Sequence, residues 1–147
     1  MPEAQLVSTA SLPWFPFLSD EVHIKLCRVI RATGEMALLI RVAPGGVLGP
    51  HYYHGTASAY TVSGQWRHRA KGWIAGPGDV MIAPAGSTHT LEAVGDKPME
   101  AFVQLSGALE FRDEDGATLC IENAETMHGR YLAHCALHGI KPQEVVQ

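Results

Sequence analysis

Hydrophobic and polar residues alternate over short runs along most of the chain, which is the pattern of half-buried β-strands. Val22, Ile24 and Leu26 occupy every second position of one such run, EVHIKLCRVI. The run MALLIRV follows after the turn-like segment ATGE, so the two runs predict a hairpin. Two further hairpins are predicted, one around Gly64 between SAYTVSG and QWRHRA, and one within ALEFRDEDGATLCIE at its acidic turn.

Only the C-terminal part of the chain has a helical period. Asn123 can cap the first turn, and Met127, Tyr131, Leu132 and Cys135 fall on one stripe of the resulting helix. Gly139 suits the position just past the helix end, where a left-handed backbone is common. The pattern therefore predicts one α-helix after a series of strands.

The segment SLPWFPFL near the N-terminus contains three aromatic residues and two prolines, which excludes a regular helix. We expect an extended arm that places Trp14, Phe15 and Phe17 on the body of the protein or on a neighbouring subunit. The whole chain is then an all-β single domain, because antiparallel sheets bury one face by forming a sandwich or a barrel. The expected parts are an N-terminal arm (1–19), a β-barrel (20–122), a C-terminal helix (123–140) and a tail (141–147).

Composition limits the partners of the protein. The chain has 147 residues and a formal net charge of −4, so neither nucleic acid nor an anionic membrane is an expected partner, since both attract clustered Lys and Arg. The N-terminus has no basic segment followed by an apolar stretch, which indicates a cytoplasmic protein. The expected partner is a small-molecule substrate, together with further copies of the chain. Exposed strand edges and the aromatic arm predict a homodimer or a homotetramer.

The segment GDVMIAPAGSTH, residues 78–89, has the spacing G-x5-P-x-G-x2-H. Gly78 and Gly86 permit tight turns, Pro84 ends a strand, and His89 begins the next strand with its side chain inward. This spacing resembles the second conserved motif of the cupin superfamily. The spacing of the first cupin motif also fits between residues 45 and 64, with His51 as the first metal ligand, but Tyr53 and Ala57 replace its second histidine and its glutamate.

The sequence from about Trp14 to Ile140 resembles the 2,4'-dihydroxyacetophenone dioxygenase branch of the cupins. This resemblance implies a jelly-roll barrel, oligomerisation and a mononuclear non-haem iron that helps O2 cleave a carbon–carbon bond next to a ketone. His51 and His89 match two of the metal ligands by position. Tyr53 stands where the family has its second histidine, and no acid stands near Ala70, where the family has a carboxylate.

Two further histidines are candidates to complete such a centre. His54 would reach it if a bulge turned its side chain inward. His68 should face inward because Arg67 and Arg69, its neighbours on both sides, are costly to bury. Tyr53 as a phenolate ligand is an alternative that requires loss of a proton from a group with a pKa near 10. The predicted metal ligands are His51, His54, His68 and His89, and the predicted pocket residues are Tyr53, Tyr60, Trp66 and Phe102.

A nitrogen-rich ligand set suits Fe, Zn, Ni or Cu. Following the resemblance, we expect one divalent transition metal per chain, Fe(II), with Zn or Ni as substitutes in purified protein. The predicted activity is a metal-dependent dioxygenase that cleaves a carbon–carbon bond of a small aromatic or β-dicarbonyl ketone. The alternative is a non-catalytic, sensor-like cupin that binds a metal or a small molecule, as related cupins of the anti-sigma type do. Metal-free isomerase or epimerase chemistry is disfavoured, since no His–Asp or Lys–Glu pair stands at matching inward positions.

Overall fold

The computed structural model describes residues 3–147, so the first two residues of the predicted arm lie outside it. Twelve strands and one α-helix follow a short 3₁₀ turn at Thr9–Ser11. The elements are β1 (Phe15–Phe17), β2 (Ser19–Ile30), β3 (Glu35–Val42), β4 (Val47–Tyr53), β5 (Ala57–Ser63), β6 (Gln65–His68), β7 (Ile74–Ala75), β8 (Val80–Ala83), β9 (Thr88–Val94), β10 (Met99–Leu105), β11 (Leu109–Arg112), β12 (Thr118–Glu122) and α1 (Ala124–His138).

The strands form two six-stranded sheets, and every pair of neighbouring strands is antiparallel. The order in the first sheet is β1-β2-β3-β10-β5-β8, and the order in the second is β12-β11-β4-β9-β6-β7. The inward side chains of both sheets form one hydrophobic core. The predicted all-β domain with a single C-terminal helix is confirmed, as are the hairpins β2–β3 and β11–β12.

The hairpin predicted around Gly64 is wrong. Strand β5 pairs with β8 and β10 in the first sheet, whereas β6 pairs with β7 and β9 in the second. Gly64 has a φ of 71°, and a Cβ atom at this position would lie 2.6 Å from the Cα atom of Met99. The chain therefore changes sheets at this glycine. A tight hairpin and a corner between sheets both require a glycine between two alternating runs, so the sequence pattern alone did not separate them.

Helix α1 begins and ends as its sequence predicts. The side-chain oxygen of Asn123 accepts a hydrogen bond of 2.9 Å from the backbone N–H of Thr126, and the Thr126 hydroxyl accepts one of 2.8 Å from the backbone N–H of Asn123. Gly139 ends the helix with a φ of 65°. Met127, Tyr131 and Cys135 lie on its buried face, whereas Leu132, which the stripe included, is 40% exposed. No helix within residues 3–147 combines the length and apolar character needed to cross a membrane.

The N-terminal arm packs on its own chain. Phe15 and Phe17 are buried, and their strand pairs with β2. The Phe17 ring lies edge-on to the ring of Phe111 at 5.4 Å between centroids. The Trp14 ring is covered by the Arg41 guanidinium, 4.5 Å from the ring centroid. The arm therefore forms part of the wall of the core.

Candidate functional site

His51 and His89 lie side by side on the inner face of the second sheet. The two residues are directly paired between β4 and β9, and directly paired residues of an antiparallel sheet point to the same face. Their rings are stacked at 27° with centroids 6.2 Å apart. His51 is 2% exposed. The strand register alone therefore brings together the two histidines that the cupin motifs single out.

Each ring nitrogen of His51 has a different environment. The Nδ1 atom lies 2.8 Å from the carbonyl oxygen of Gly49, so it carries the proton and donates it to this acceptor. The Nε2 atom is then left with its lone pair. Burial lowers the pKa of His51 to about 4, so the ring is neutral at neutral pH. A ring that donates one N–H to a backbone carbonyl and keeps the other nitrogen free has the usual environment of a metal-binding histidine.

The ring of His89 is held by a short chain of hydrogen bonds. Its Nε2 atom lies 2.9 Å from the hydroxyl oxygen of Ser87, and that hydroxyl donates to the carbonyl oxygen of Pro84 at 2.7 Å. Because the single hydroxyl proton of Ser87 is used at Pro84, Nε2 of His89 is the donor and Nδ1 keeps its lone pair. Burial, followed by repulsion from His68, lowers the pKa of His89. This second ring is neutral as well.

Tyr53 completes a triangle of rings with the two histidines. Its ring centroid lies 5.2 Å from that of His51 and 5.4 Å from that of His89. Burial raises the pKa of the Tyr53 phenol above its ordinary range and is the only cause of the shift. The group is therefore a protonated phenol, able to donate a hydrogen bond. It is a poor anionic ligand in this state.

His68 faces inward, and its ring centroid lies 4.5 Å from that of His89. The neighbouring Arg67 and Arg69 point outward and share the carboxylate of Glu92, as the sequence predicts. Both ring nitrogens of His68 have protein partners, however. Nδ1 accepts the backbone N–H of Ala70 at 3.1 Å, and Nε2 lies 3.3 Å from the carbonyl oxygen of Thr88. The ring would have to give up one of these bonds before it could bind a metal.

The structure does not bring His54 to the cluster. Its Nε2 atom lies 3.4 Å from the carboxylate of Glu110 on the outer face, and its side chain is 46% exposed. The bulge expected at this histidine lies earlier in the strand, between Leu48 and His51. Regular alternation then continues through Tyr53, which takes the inner position. The predicted inward orientation of His54 is therefore wrong.

Two of the four predicted pocket residues face the interior. Tyr53 and Trp66 line the central cavity, and the indole N–H of Trp66 donates to the Thr61 hydroxyl at 2.9 Å. Tyr60 and Phe102 point outward from the first sheet, with 49% and 36% of their surface exposed. Each alternates with small inward residues of its strand, so the pleat places the larger ring outside.

The cavity between the sheets is small and mainly apolar, with a volume of about 60 Å³. For comparison, an apolar cavity of roughly 150 Å³ binds benzene. Three of the lining residues, Met36, Met81 and Met127, have flexible unbranched side chains that can adjust to a ligand. A ligand of several heavy atoms, aliphatic or aromatic, would therefore need these side chains to move aside.

Sequence reasoning missed one charged residue of the cavity wall. Glu122 is 4% exposed and lines the same cavity as His51 and His89. Its carboxylate forms an ion pair with Arg130 of α1. In the segment TLCIE the alternation alone would have placed Leu119 and Ile121 inward, yet these two are 67% and 51% exposed.

The donor atoms present fit a divalent transition metal in part. Within residues 3–147, no group of three or more His, Cys, Asp or Glu side chains is arranged to hold one ion. His51 and His89 each offer a neutral imidazole nitrogen, the donor type that Fe, Zn, Ni and Cu accept. These two histidines would hold the metal, and the other coordination positions would be left to small molecules.

Comparison with known proteins gives the family. The model of the ChrR cupin-like domain matches residues 2–110. The chain belongs to this cupin family. No curated protein matches this chain.

Solved structures of other cupins have the same fold. An RmlC-like cupin protein from Ralstonia eutropha JMP134 is 28% identical with a TM-score of 0.92, and the match covers 99% of this chain and 95% of that one. An acetylacetone dioxygenase from Acinetobacter johnsonii is 16% identical with a TM-score of 0.77 over 90% and 93% of the two chains. The structure of Rhodobacter sphaeroides SigE in complex with the anti-sigma ChrR matches at 18% identity and a TM-score of 0.57, over 67% of the cupin and 50% of that chain.

Proposed function

We propose that this cupin is a metal-dependent dioxygenase that acts on a small β-dicarbonyl ketone, with His51 and His89 as the protein ligands of one Fe(II) ion. The observation that carries the proposal is the His51–His89 pair. Both rings are neutral, both are fixed by a hydrogen bond through one nitrogen, and both line an apolar cavity. The fold likeness to an acetylacetone dioxygenase agrees with this chemistry.

Charge balance favours an anionic, chelating ligand. Two neutral imidazoles do not offset the charge of a divalent ion, and an uncompensated charge in an apolar cavity is costly. The enolate of a β-dicarbonyl carries one negative charge and two oxygen donors, so it would supply the charge and the coordination that the protein lacks. When bound, the metal supplies Lewis acidity toward such oxygens.

The residues around the pair would orient this ligand. The ring of Tyr53 lies beside both histidines, and its protonated hydroxyl would donate a hydrogen bond to a ligand oxygen. The apolar walls, which include Leu38, Ile40 and Val103, would exclude water. Both predicted substrate classes exceed the cavity volume of about 60 Å³, and the aliphatic β-dicarbonyl, which has fewer atoms than the aromatic ketone, needs the smaller movement of the walls.

A second candidate function is metal or small-molecule binding without turnover. The observation that favours it is the state of His68, whose two nitrogens are both hydrogen-bonded within the protein. Only two free histidine donors then remain, which lowers the expected affinity for a metal. The match to the ChrR cupin-like domain agrees with a binding role.

Oxygen consumption separates the two functions. Protein reconstituted anaerobically with Fe(II) should bind close to one equivalent and should then consume O2 when pentane-2,4-dione is added. His89→Ala provides the matched control and should do neither. Metal binding without oxygen uptake on any small β-dicarbonyl would support the binding role instead. Protein that binds no metal would exclude both metal-dependent functions.

A further inference from the structure

The cavity has a second polar position, formed by Glu122. Strand pairing places Tyr53 opposite Leu109 on β11, and Leu109 opposite Glu122 on β12. These three side chains form one row on the inner face, so Glu122 lies two strand spacings from Tyr53, or roughly 10 Å between Cα atoms. The carboxylate is therefore in the same cavity as the histidine pair but at its other side.

One oxygen of the Glu122 carboxylate is bound by its ion-pair partner. Arg130 donates through Nε to Oε1 of Glu122, and its guanidinium also lies over the ring of Phe17 at 5.3 Å from the centroid. Among residues 3–147, every side-chain oxygen or nitrogen that is fully inaccessible in a buried or half-buried residue has a hydrogen-bond partner. Oε2 of Glu122, to which the structure gives no donor within these residues, therefore keeps some accessible surface. Because Glu122 lines the cavity, this oxygen is the acceptor that we assign to a ligand there.

The charge of Glu122 is already balanced by Arg130, which limits what the free oxygen would bind. A cationic ligand would compete with the guanidinium, which is held by both the carboxylate and Phe17. A neutral donor needs no such exchange and gains a charge-assisted hydrogen bond. The chemistry therefore favours a hydroxyl group over an ammonium group.

We infer that Glu122 is a specificity-determining residue, which accepts a hydrogen bond from a neutral hydroxyl group carried by the ligand at the end away from His51 and His89. The ligand class is then a small ketone or β-dicarbonyl with a terminal hydroxyl. This inference deepens the proposed function and rests on it for the position of the carbonyl end. It does not require that the bound ligand is turned over.

The test compares the affinities of two probes, pentane-2,4-dione and 1-hydroxypentane-2,4-dione, by isothermal titration calorimetry. Zn2+ replaces iron so that no oxygen chemistry occurs during the titration. A hydrogen bond to a charged group contributes enough that wild-type protein should prefer the hydroxylated probe by roughly 10- to 100-fold. Glu122→Gln should reduce the preference, because a neutral amide accepts a weaker hydrogen bond.

The double variant Glu122→Met, Arg130→Met removes both partners of the ion pair and so leaves no buried charge that could unfold the protein. It should bind both probes with similar affinity. The matched control is Glu110→Met, Arg112→Met, which removes a second Glu–Arg pair, 2.6 Å apart, from the outer face of the same sheet. This control should keep the wild-type preference. A role of Glu122 only in holding α1 to β12 would change stability in the double variant but not the ratio of affinities.

Failure of this inference differs from failure of the proposed function. A wild-type protein that binds both probes equally overturns the role of Glu122 alone, and so does a preference that survives in the double variant. A protein that binds neither probe overturns both the role of Glu122 and the proposed substrate class. If the protein does not bind Zn2+, the same comparison is made on metal-free protein and decides the inference in the same way. Absence of metal binding or of oxygen uptake bears on the proposed function alone.

Discussion

The imidazole rings of His51 and His89 stack across the β4–β9 pair with their centroids 6.2 Å apart. Both residues belong to strands, His51 directly after the bulge of β4 and His89 near the start of β9. Each is also oriented by a hydrogen bond to a group of its own strand or of the turn before it. Such a pair is rigid before any ligand arrives, which is the condition for tight and selective binding.

Substitution of the pair should abolish metal binding. We expect His51→Ala and His89→Ala each to lower the affinity for Zn2+ by two orders of magnitude or more, since even the loss of an orienting partner costs roughly 10- to 100-fold. His54→Ala, on the outer face, should stay close to wild type. Competition with a chromogenic chelator measures all three. An equal loss in His54→Ala would show that the outer histidine is a ligand.

Tyr53→His should strengthen the site. The substitution places a third imidazole at the inner position beside His51 and His89, where the ring of Tyr53 now lies 5.2 and 5.4 Å from theirs. We expect tighter metal binding by at least roughly one order of magnitude, the effect of one added ligand or orienting group. Tyr53→Phe is the size-matched control and should leave the affinity near that of wild type. A large loss in Tyr53→Phe would instead identify the tyrosine oxygen as a ligand.

The stability of the metal-free protein should fall as the pH drops below 6.5. His51 has a pKa of about 4 in the folded protein, against 6.5 for an ordinary histidine. Between these values the unfolded chain takes up a proton at this position and the folded chain does not, so the free energy of unfolding decreases toward pH 4 by about 3 kcal/mol. Well above pH 6.5 the residue is neutral in both states and contributes nothing to the pH dependence of the free energy of unfolding.

Urea denaturation at pH 7 and pH 5 in the presence of a chelator measures this dependence. His51→Gln removes one titrating group and should reduce the slope between the two values, and the slope that remains includes the contribution of His89, whose pKa is also lowered by burial. Carboxylates such as Glu92, whose hydrogen bonds to Arg67 and Arg69 lower its pKa, also lose stabilisation in acid, and they do so equally in both proteins. Identical slopes in the variant and the wild type would contradict the prediction.

Two glycines with nearly the same backbone angle provide a test of the corner between the sheets. Gly64 and Gly45 have φ angles of 71° and 73°, but a Cβ atom at Gly64 would meet Met99 and Pro98, whereas one at Gly45 would meet nothing within 4 Å. We expect Gly45→Ala to cost about 1 kcal/mol from strain alone. Gly64→Ala should cost at least ~2 kcal/mol more, because it also forces two packed segments apart. Equal costs by urea denaturation would exclude the steric contribution.

Alternation along single strands predicted much of the site. Charged Arg67 and Arg69 marked the outer face, so the inward position of His68 followed from the sequence, and the motif spacing marked His51 and His89. The hydrogen bonds that occupy both nitrogens of His68 involve Ala70 and Thr88. The bond from Ala70 is local, two residues along the chain, whereas the contact with Thr88 depends on how β6 and β9 meet, which the sequence of either strand does not contain.

The errors have a related cause. The pairing partners of a strand decide whether it contains a bulge at His54. They also decide whether a glycine such as Gly64 makes a hairpin or a corner between sheets. Glu122 was missed because hydropathy favours Leu119 and Ile121 as the inward residues of β12. Glu122 can nevertheless be the inward residue because Arg130, eight positions further on, neutralises its buried carboxylate.

The position of β10 in the first sheet has a consequence for how fast the protein folds. This strand lies between β3 and β5, with Val103 paired to Leu38 on one side and to Ala59 on the other. The two earlier strands therefore have no common neighbour until a segment far along the chain arrives, and the loop that must close is long. Topologies dominated by such distant pairings fold in milliseconds to seconds. Refolding should accordingly be slow, and the exposed edges of β3 and β5 would be open to other chains during that time.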